Sequence, residues 1–304
     1  MPTSALPAAA HLAGAAAIDF SRPFLPERLT PLFHTPAYAT LTAAQRLRYN
    51  QLHALYFNEQ TLFFEQALAR NVLGHFLARP LPGPLRADLE NFLAEEQRHS
   101  KMFRGLNRRC APEFYADRDF HFIRVPRTAG ALLGFMSRRP HWFPLLLWLA
   151  HLQEERSLAA GRLFLAGAAT LEPQFVAVQR AHLADEVGHV RCDEALLARV
   201  WPHTHPLVRH LNARLLGWLL GEYFSVPKRA AVRVVAALAA EFPALRAREP
   251  ELHAALRALR DNPAFRHEIY SPANVPGTFR LFDAWPEFRA LARVLPGYVP
   301  GTNA

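Results

Sequence analysis

His182-Leu183-Ala184-Asp185-Glu186-Val187-Gly188-His189 is the stretch on which the fold turns. Positions 182, 186 and 189 follow the i, i+4, i+7 spacing, so on a helix three ligand-type side chains stand in one stripe. Burying a carboxylate and two imidazoles along a single stripe is costly unless they bind something. A shorter version comes earlier, Glu95-Glu96-Gln97-Arg98-His99, where Glu96 and His99 share a face at i, i+3. In each case another acid, Asp185 or Glu95, directly precedes the glutamate.

A lone acid-x-x-His means little, because 26 acidic residues and 15 histidines supply on the order of one by chance. Context gives the pair its weight. Both instances use Glu, both follow an acid, and both lie in helical patterns flanked by apolar residues: Phe92, Met102 and Phe103 around the first, Leu183 and Val190 around the second. Two such helices facing each other, with one Glu from each of two more, make the di-metal core of a ferritin-like bundle. The fold class expected is therefore all-α, a ferritin-like helical bundle with a di-iron core, extra C-terminal helices and an irregular tail.

The rest of the chain is compatible with that plan. Ala, Leu and Arg dominate while Gly and β-branched residues are sparse, a mixture that favours helix. Residues 1–40, rich in Ala and Pro, read as an N-terminal arm, and 41–304 as a single domain. Thr42-Ala43-Ala44-Gln45 is a capping box that opens the first core helix, over roughly 42–79. The others are expected over roughly 85–109, 141–165 and 173–200, the last with Pro173 in its first turn. A polar, aromatic-bearing loop, 111–139, is long enough for the crossover such a bundle needs. Further helices fit 205–224, 227–246 and 249–260, and the proline-rich tail from Asn262 reads as irregular chain on the surface.

Composition excludes several function classes. The net charge is +9, but nearly all of it is Arg, Lys101 and Lys228 being the only lysines, with no long basic run. Without a basic stripe carrying interleaved aromatics, nucleic acid is not an expected partner. The longest apolar run, Trp142 to Ala150, contains Pro144 and is too short to span a bilayer, so no membrane partner is expected. Two cysteines without a CxxC and the lack of Lys or Arg before Arg22 point to a cytoplasmic protein without a signal peptide.

Spacing leaves two choices open. On the first core helix Glu65 shares its face with Leu62, Leu68, Ala69 and Val72, whereas Glu59 shares its face with Leu52, Tyr56 and Phe63. On the third, Glu154 and Glu155 are adjacent and face different ways. Carboxylate oxygen with imidazole nitrogen is a donor set for iron or manganese, and four carboxylates neutralise much of a di-metal charge. Glu95 and Asp185 are placed to hold ligand imidazoles from across the cluster.

These residues resemble the para-aminobenzoate N-oxygenase (AurF-like) family of non-haem di-iron oxygenases. Phe57-Asn58-Glu59-Gln60 followed by Glu65-Gln66 is similar to its first-helix pattern, the acid-Glu-x-x-His at 95–99 to its second, and the His-x-x-x-Glu-x-x-His of 182–189 to its fourth. Pro173 nine residues before His182, and Glu155 twenty-seven before it, also match. The resemblance covers roughly 45–200 and implies seven metal ligands: Glu65, Glu96, His99, Glu155, His182, Glu186 and His189. It implies two iron ions (manganese or a mixed Mn/Fe pair being compatible with the same donors), and O2 activation through a peroxo-diferric intermediate. It further implies stepwise N-oxygenation of an amine towards hydroxylamine, nitroso and nitro products, a homodimer and an external electron donor.

Where the aminobenzoate enzymes hold their substrate's carboxylate with a Tyr, an Arg and an Asn, this chain has Phe57, Gln60 and Ala159. A glutamine does not reproduce the bidentate pairing of an arginine, which points to a more apolar aryl or alkyl amine. The alternatives are a di-iron hydroxylase, desaturase or oxidative-cleavage enzyme, and a ferritin-like iron-binding protein. Phe103, one turn past His99, stands where a tyrosyl-radical protein would carry Tyr.

Overall fold

The computed structural model describes residues 17–224 and 229–302; of the arm expected over 1–40, residues 1–16 lie outside the described residues. Thr42 opens α1 (Ala43–Phe64) with the expected capping box: its Oγ1 accepts from the Gln45 amide at 3.3 Å, and Gln45 Oε1 accepts from the Thr42 amide at 2.9 Å. Such a cap contributes roughly 1 kcal/mol. The helix then widens into a single π turn, Glu65–Ala69, in which the Arg70 amide donates to the Glu65 carbonyl, and continues as α2 (Arg70–Leu77).

After Pro80 and Pro82, α3 runs over Gly83–Cys110 with Pro84 in its first turn. The crossover segment is not all loop, as its sequence suggests, but carries α4 (Arg127–Ser137). Gly130 and Gly134 hide that helix in the sequence, each being unfavourable in a helix interior by about 1 kcal/mol relative to Ala. Next come α5 (Leu145–Ala166) and α6 (Pro173–Val200). The Glu172 carboxylate caps α6 by accepting from the Gln174 and Phe175 amides at 2.7 and 3.0 Å. Four helices of 7–14 residues follow, α7 (Pro206–Leu219), α8 (Arg229–Glu241), α9 (Glu249–Ala258) and α10 (Pro263–Ile269), then α11 (Pro276–Asp283) and a 3₁₀ segment, Pro286–Arg293. No strand occurs among the described residues.

The bundle is the chain of contacts α1 on α3, α3 on α6, and α6 along α5, with the π turn reaching both α3 and α5. Gly161 permits the close approach of α5 to α6, since a Cβ there would lie 2.9 Å from Leu183 Cδ1. Outside the bundle α8 covers α1, and α11 lies on α5. The tail is broken by its prolines, but Pro263, Pro276 and Pro286 occupy first-turn positions of short helical segments rather than marking surface chain. Phe279, Phe282, Phe288, Leu291 and Tyr298 are buried against Trp148 and Trp201.

Two apolar clusters fill the interior, and each core helix feeds both. α1 gives Tyr49, Leu52, Leu55 and Leu62 to one, and Phe64 at its last residue to the other. α3 divides between Leu89 and Phe92 on one side and Phe103 and Leu106 on the other, and α6 between Phe175 and Val178 and Leu196 and Leu197. The polar residues at 65, 96–99, 154 and 182–189 fall at the change-over on every helix. A layer of buried carboxylates and imidazoles thus separates two hydrophobic halves. No helix among the described residues is long and apolar enough to cross a membrane.

Candidate metal centre

Glu65 enters the layer from the π turn. Its Oε2 accepts from Ser100 Oγ at 2.8 Å, leaving Oε1 at 3.6 Å from His182 Nε2 and 3.9 Å from His99 Nδ1. A π turn adds a residue to one turn of helix and re-aims what it carries, and such turns are frequent at functional sites. Nothing in Glu65-Gln66-Ala67-Leu68-Ala69 announces it, because all five are good helix formers.

α3 and α6 supply the rest in reciprocal fashion. His99 Nε2 donates to Asp185 Oδ2 of α6 at 3.0 Å, and His189 Nε2 donates to Glu95 Oε2 of α3 at 3.1 Å. Ionised carboxylates only accept, so each bond places a proton on Nε2 and turns Nδ1 inward. His189 Nδ1 lies 3.4 Å from Glu96 Oε1, 3.4 Å from Glu186 Oε1 and 3.7 Å from Glu154 Oε2, while His182 Nε2 is 2.9 Å from Glu186 Oε1. The stripe read from 182, 186 and 189 is therefore real in space.

Sequence reasoning missed the groups that fix this arrangement. Arg98 Nη2 stands 3.1 Å from Asp185 and 3.7 Å from Glu95, tying the two outer carboxylates together. Its i, i+3 spacing from Glu95 was the available signal. Phe92 stacks on the His189 ring at 3.9 Å, and Phe103 meets the His182 ring edge-on at 5.1 Å, so both imidazoles are clamped by apolar walls. Neither phenylalanine differs in sequence from an ordinary core residue.

The two open choices resolve differently. Glu65 rather than Glu59 faces the layer; Glu59 accepts instead from the His121, Phe122 and Ile123 amides and from the Tyr115 hydroxyl, holding the crossover. On α5, however, the structure brings Glu154 to the layer rather than Glu155, the residue that the resemblance implies. Glu154 joins Glu186 and His189, while Glu155 turns outward and accepts from the Gly277 and Thr278 amides at 2.8 and 2.7 Å. Those amides are unsatisfied donors of the first turn of α11, and a carboxylate there is favourable. A Cβ at Gly277 would lie 2.7 Å from Glu155 Oε1, so the glycine makes the approach possible.

The three pocket positions are less convergent. Phe57, half-buried on α1, packs near Phe164 of α5 at 6.1 Å, Gln60 bonds the Tyr56 hydroxyl, and Ala159 is half-buried on α5. Among the described residues no hydrogen bond, ion pair or ring contact joins any of them to the carboxylate–histidine layer.

Burial, together with neighbouring Glu65 and Glu154, pushes the Glu96 carboxyl well above its usual range, and burial beside Glu186 does the same to Glu154. Burial alone would raise Glu186 too, but His182 beside it holds it well below. Burial works against the His182 imidazolium, yet Glu186 and Glu65 overcome it and lift the group to about 10. His189 is raised likewise against the cost of burial, chiefly by Glu154 and Glu186, whereas burial lowers His99 despite its bond to Asp185. Among the described residues only histidines, and no lysine or arginine, pair with Glu65, Glu96, Glu154 and Glu186.

The donor set fits a metal. Glu65 Oε1, Glu96 Oε2, His99 Nδ1 and His189 Nδ1 are buried without a hydrogen-bond partner. Leaving such atoms unsatisfied costs about 1–3 kcal/mol each. Three buried triads, Glu65–His99–His182, Glu96–His99–His189 and Glu154–Glu186–His189, have donor atoms within 4.8 Å of one another and overlap through His99 and His189. Oxygen and imidazole donors in one dry layer suit iron or manganese rather than a thiophilic metal.

No curated protein matches the chain. A family model described as p-aminobenzoate N-oxygenase AurF matches residues 13–269, a span that includes every member of the buried layer. By that match the chain belongs to the p-aminobenzoate N-oxygenase AurF family.

Proposed function

We propose that Glu65, Glu96, His99, Glu154, His182, Glu186 and His189 hold two iron ions, and that the protein uses O2 to oxygenate the nitrogen of an aryl or alkyl amine. The chain is an oxygenase by family, and its buried Glu and His groups could hold metal. The observation that carries the finer reading is the third histidine: His182 lies in the layer, wholly within reach of Glu65 and Glu186, and adds a ligand without adding negative charge. A bound iron pair would supply the reducing equivalents for O2 activation.

The chain's own residues do the remaining work. Asp185 and Glu95 keep Nδ1 of His99 and His189 free to coordinate, Ser100 fixes one oxygen of Glu65, and Phe92 and Phe103 keep water from the imidazole faces. With Phe57, Gln60 and Ala159 where carboxylate-holding groups are expected, the preferred amine is less polar than p-aminobenzoate. A homodimer and a separate electron donor complete the proposal. Anaerobic loading with Fe(II), followed by exposure to O2 with a panel of arylamines and alkylamines, tests it. Two irons per chain and mass-detected hydroxylamine, nitroso or nitro products are expected. Absence of stoichiometric iron rejects the site, and oxygenation at carbon alone rejects the chemistry.

A further inference from the structure

At the end of the bundle formed by α2, the start of α5 and the end of α6 lies an open cleft of about 940 Å³, joined by a smaller one of about 360 Å³. Both are lined by Arg79, His141 and Trp142; Arg199 and two further histidines, His203 and His205, line the larger, and Arg138 and Arg139 the smaller. No carboxylate lines either.

This polarity is written into the sequence. Segments 66–87, 120–153 and 195–221, which supply those walls, contain no Asp or Glu and ten arginines, so all 26 acidic residues lie elsewhere. Four of those arginines, Arg79, Arg138, Arg139 and Arg199, line the two clefts. Large exposed apolar groups accompany them: Trp142, which lines both clefts, is 64% exposed, and on α7 Leu207 and Leu211, one residue before and three after cleft-lining Val208, are 61% and 55% exposed, while Arg139 lies over the Phe135 ring at 4.1 Å. Arginine and aromatic side chains around an apolar rim are what protein interfaces enrich.

We propose that this cleft is the docking site of an acidic electron-carrier protein. A second copy of this chain would bring like charge to like, and a lipid surface needs a projecting face rather than a concave one. Aliphatic Leu207 and Leu211 match an apolar patch on a protein better than a phosphodiester backbone, which is read mainly by polar and cationic groups. The place suits the task. Arg199 is ten residues past His189 on α6, about 15 Å along the helix at 1.5 Å per residue. Val200 lines the cleft, and Trp201 behind it meets Trp148 edge-on at 5.3 Å, Trp148 being six residues before Glu154.

The partner's role rests on the oxygenase reading above. Insertion of one oxygen atom from O2 into a substrate consumes two electrons and two protons and releases the second atom as water. A one-electron carrier would be oxidised twice per turnover, docking each time at the cleft.

The test uses the iron-loaded full chain with two acidic probes, a plant-type [2Fe–2S] ferredoxin and a flavodoxin, and compares a DNA duplex and anionic phosphatidylserine vesicles. Binding to a carrier that weakens steeply with salt, and at least tenfold in Arg79→Glu/Arg138→Glu/Arg199→Glu, is expected. A remote swap, Arg257→Glu on α9, should change it less than twofold. Neither carrier binding, affinity unaffected by the triple swap, or preference for DNA or vesicles that the swap abolishes would overturn the proposal. Iron content and dithionite-driven turnover are measured on the same samples. Their loss in wild type counts against the oxygenase reading, while retained dithionite turnover with lost carrier-driven turnover in the triple variant supports the docking site.

Discussion

The Asp185 carboxylate on α6 accepts from His99 Nε2 on α3, and the mirror contact, Glu95 with His189, runs back the other way. Each Glu-x-x-His helix therefore carries the acid that orients the other helix's imidazole. Replacing Asp185 with Asn keeps an acceptor but removes the charge that favours Nδ1 as the coordinating atom. Iron affinity should fall about 10–100-fold, with iron stoichiometry at saturation unchanged. Fe(II) titration of the variant checks it; an affinity equal to wild type would mean the contact is incidental.

Glu154 and Glu155 separate by consequence. Glu154→Gln should fold and lose tightly bound iron, because its carboxylate faces Glu186 and His189. Glu155→Gln should keep its iron and lose stability, since one oxygen can no longer receive a charge-assisted bond from α11. Loss on the order of 1–3 kcal/mol is expected. Thermal unfolding and metal analysis on both variants decide, and the reverse pattern would restore Glu155 to the metal layer.

That pair also shows what a sequence can and cannot say here. The stripe at 182, 186 and 189 is legible because helical spacing alone places its members together, and Thr42 and Pro173 are legible because caps are local. Choosing between adjacent glutamates requires the rotation of α5, which depends on its packing against α6 and α11. The only local hint was Gly277-Thr278 after Pro276, a helix start in need of an acceptor. The tail's burial was similarly non-local, although Phe279 and Phe282 at i, i+3 offered a signal beneath the prolines. The π turn at Glu65 left no trace, since its residues would serve equally well in an α-helix.

Glu59 provides a contrast to Glu65 on the same helix. It is fully buried and receives three backbone amides from 121–123, so Glu59→Gln should loosen the crossover without touching the metal layer. A fall in Tm on the order of 5 °C is expected from losing charge-assisted bonds of about 1.5–3 kcal/mol, with iron stoichiometry retained. Hydrogen exchange at the 121–123 amides should rise; unchanged protection there would show that Glu59 does not anchor the segment.

In the metal-free protein the layer should make stability depend on pH with a definite sign. His182 is raised from 6.5 to about 10, so its contribution is full below about pH 6.5 and is lost as pH rises through about 10. Glu96, also raised, acts in the same direction from 4.5 upward, whereas Glu186, held low, adds stability above 4.5 that disappears only in stronger acid. The Tm of apoprotein should therefore fall between pH 7 and 10, and His182→Gln should flatten that fall. Metal reverses the trend, because iron must displace protons from His182 and His189 before their nitrogens can coordinate. Fe(II) affinity should rise from pH 6 to pH 8 with protons released on binding, measurable with an indicator dye in weak buffer. Affinity independent of pH, with no proton release, would show that these histidines do not bind the metal.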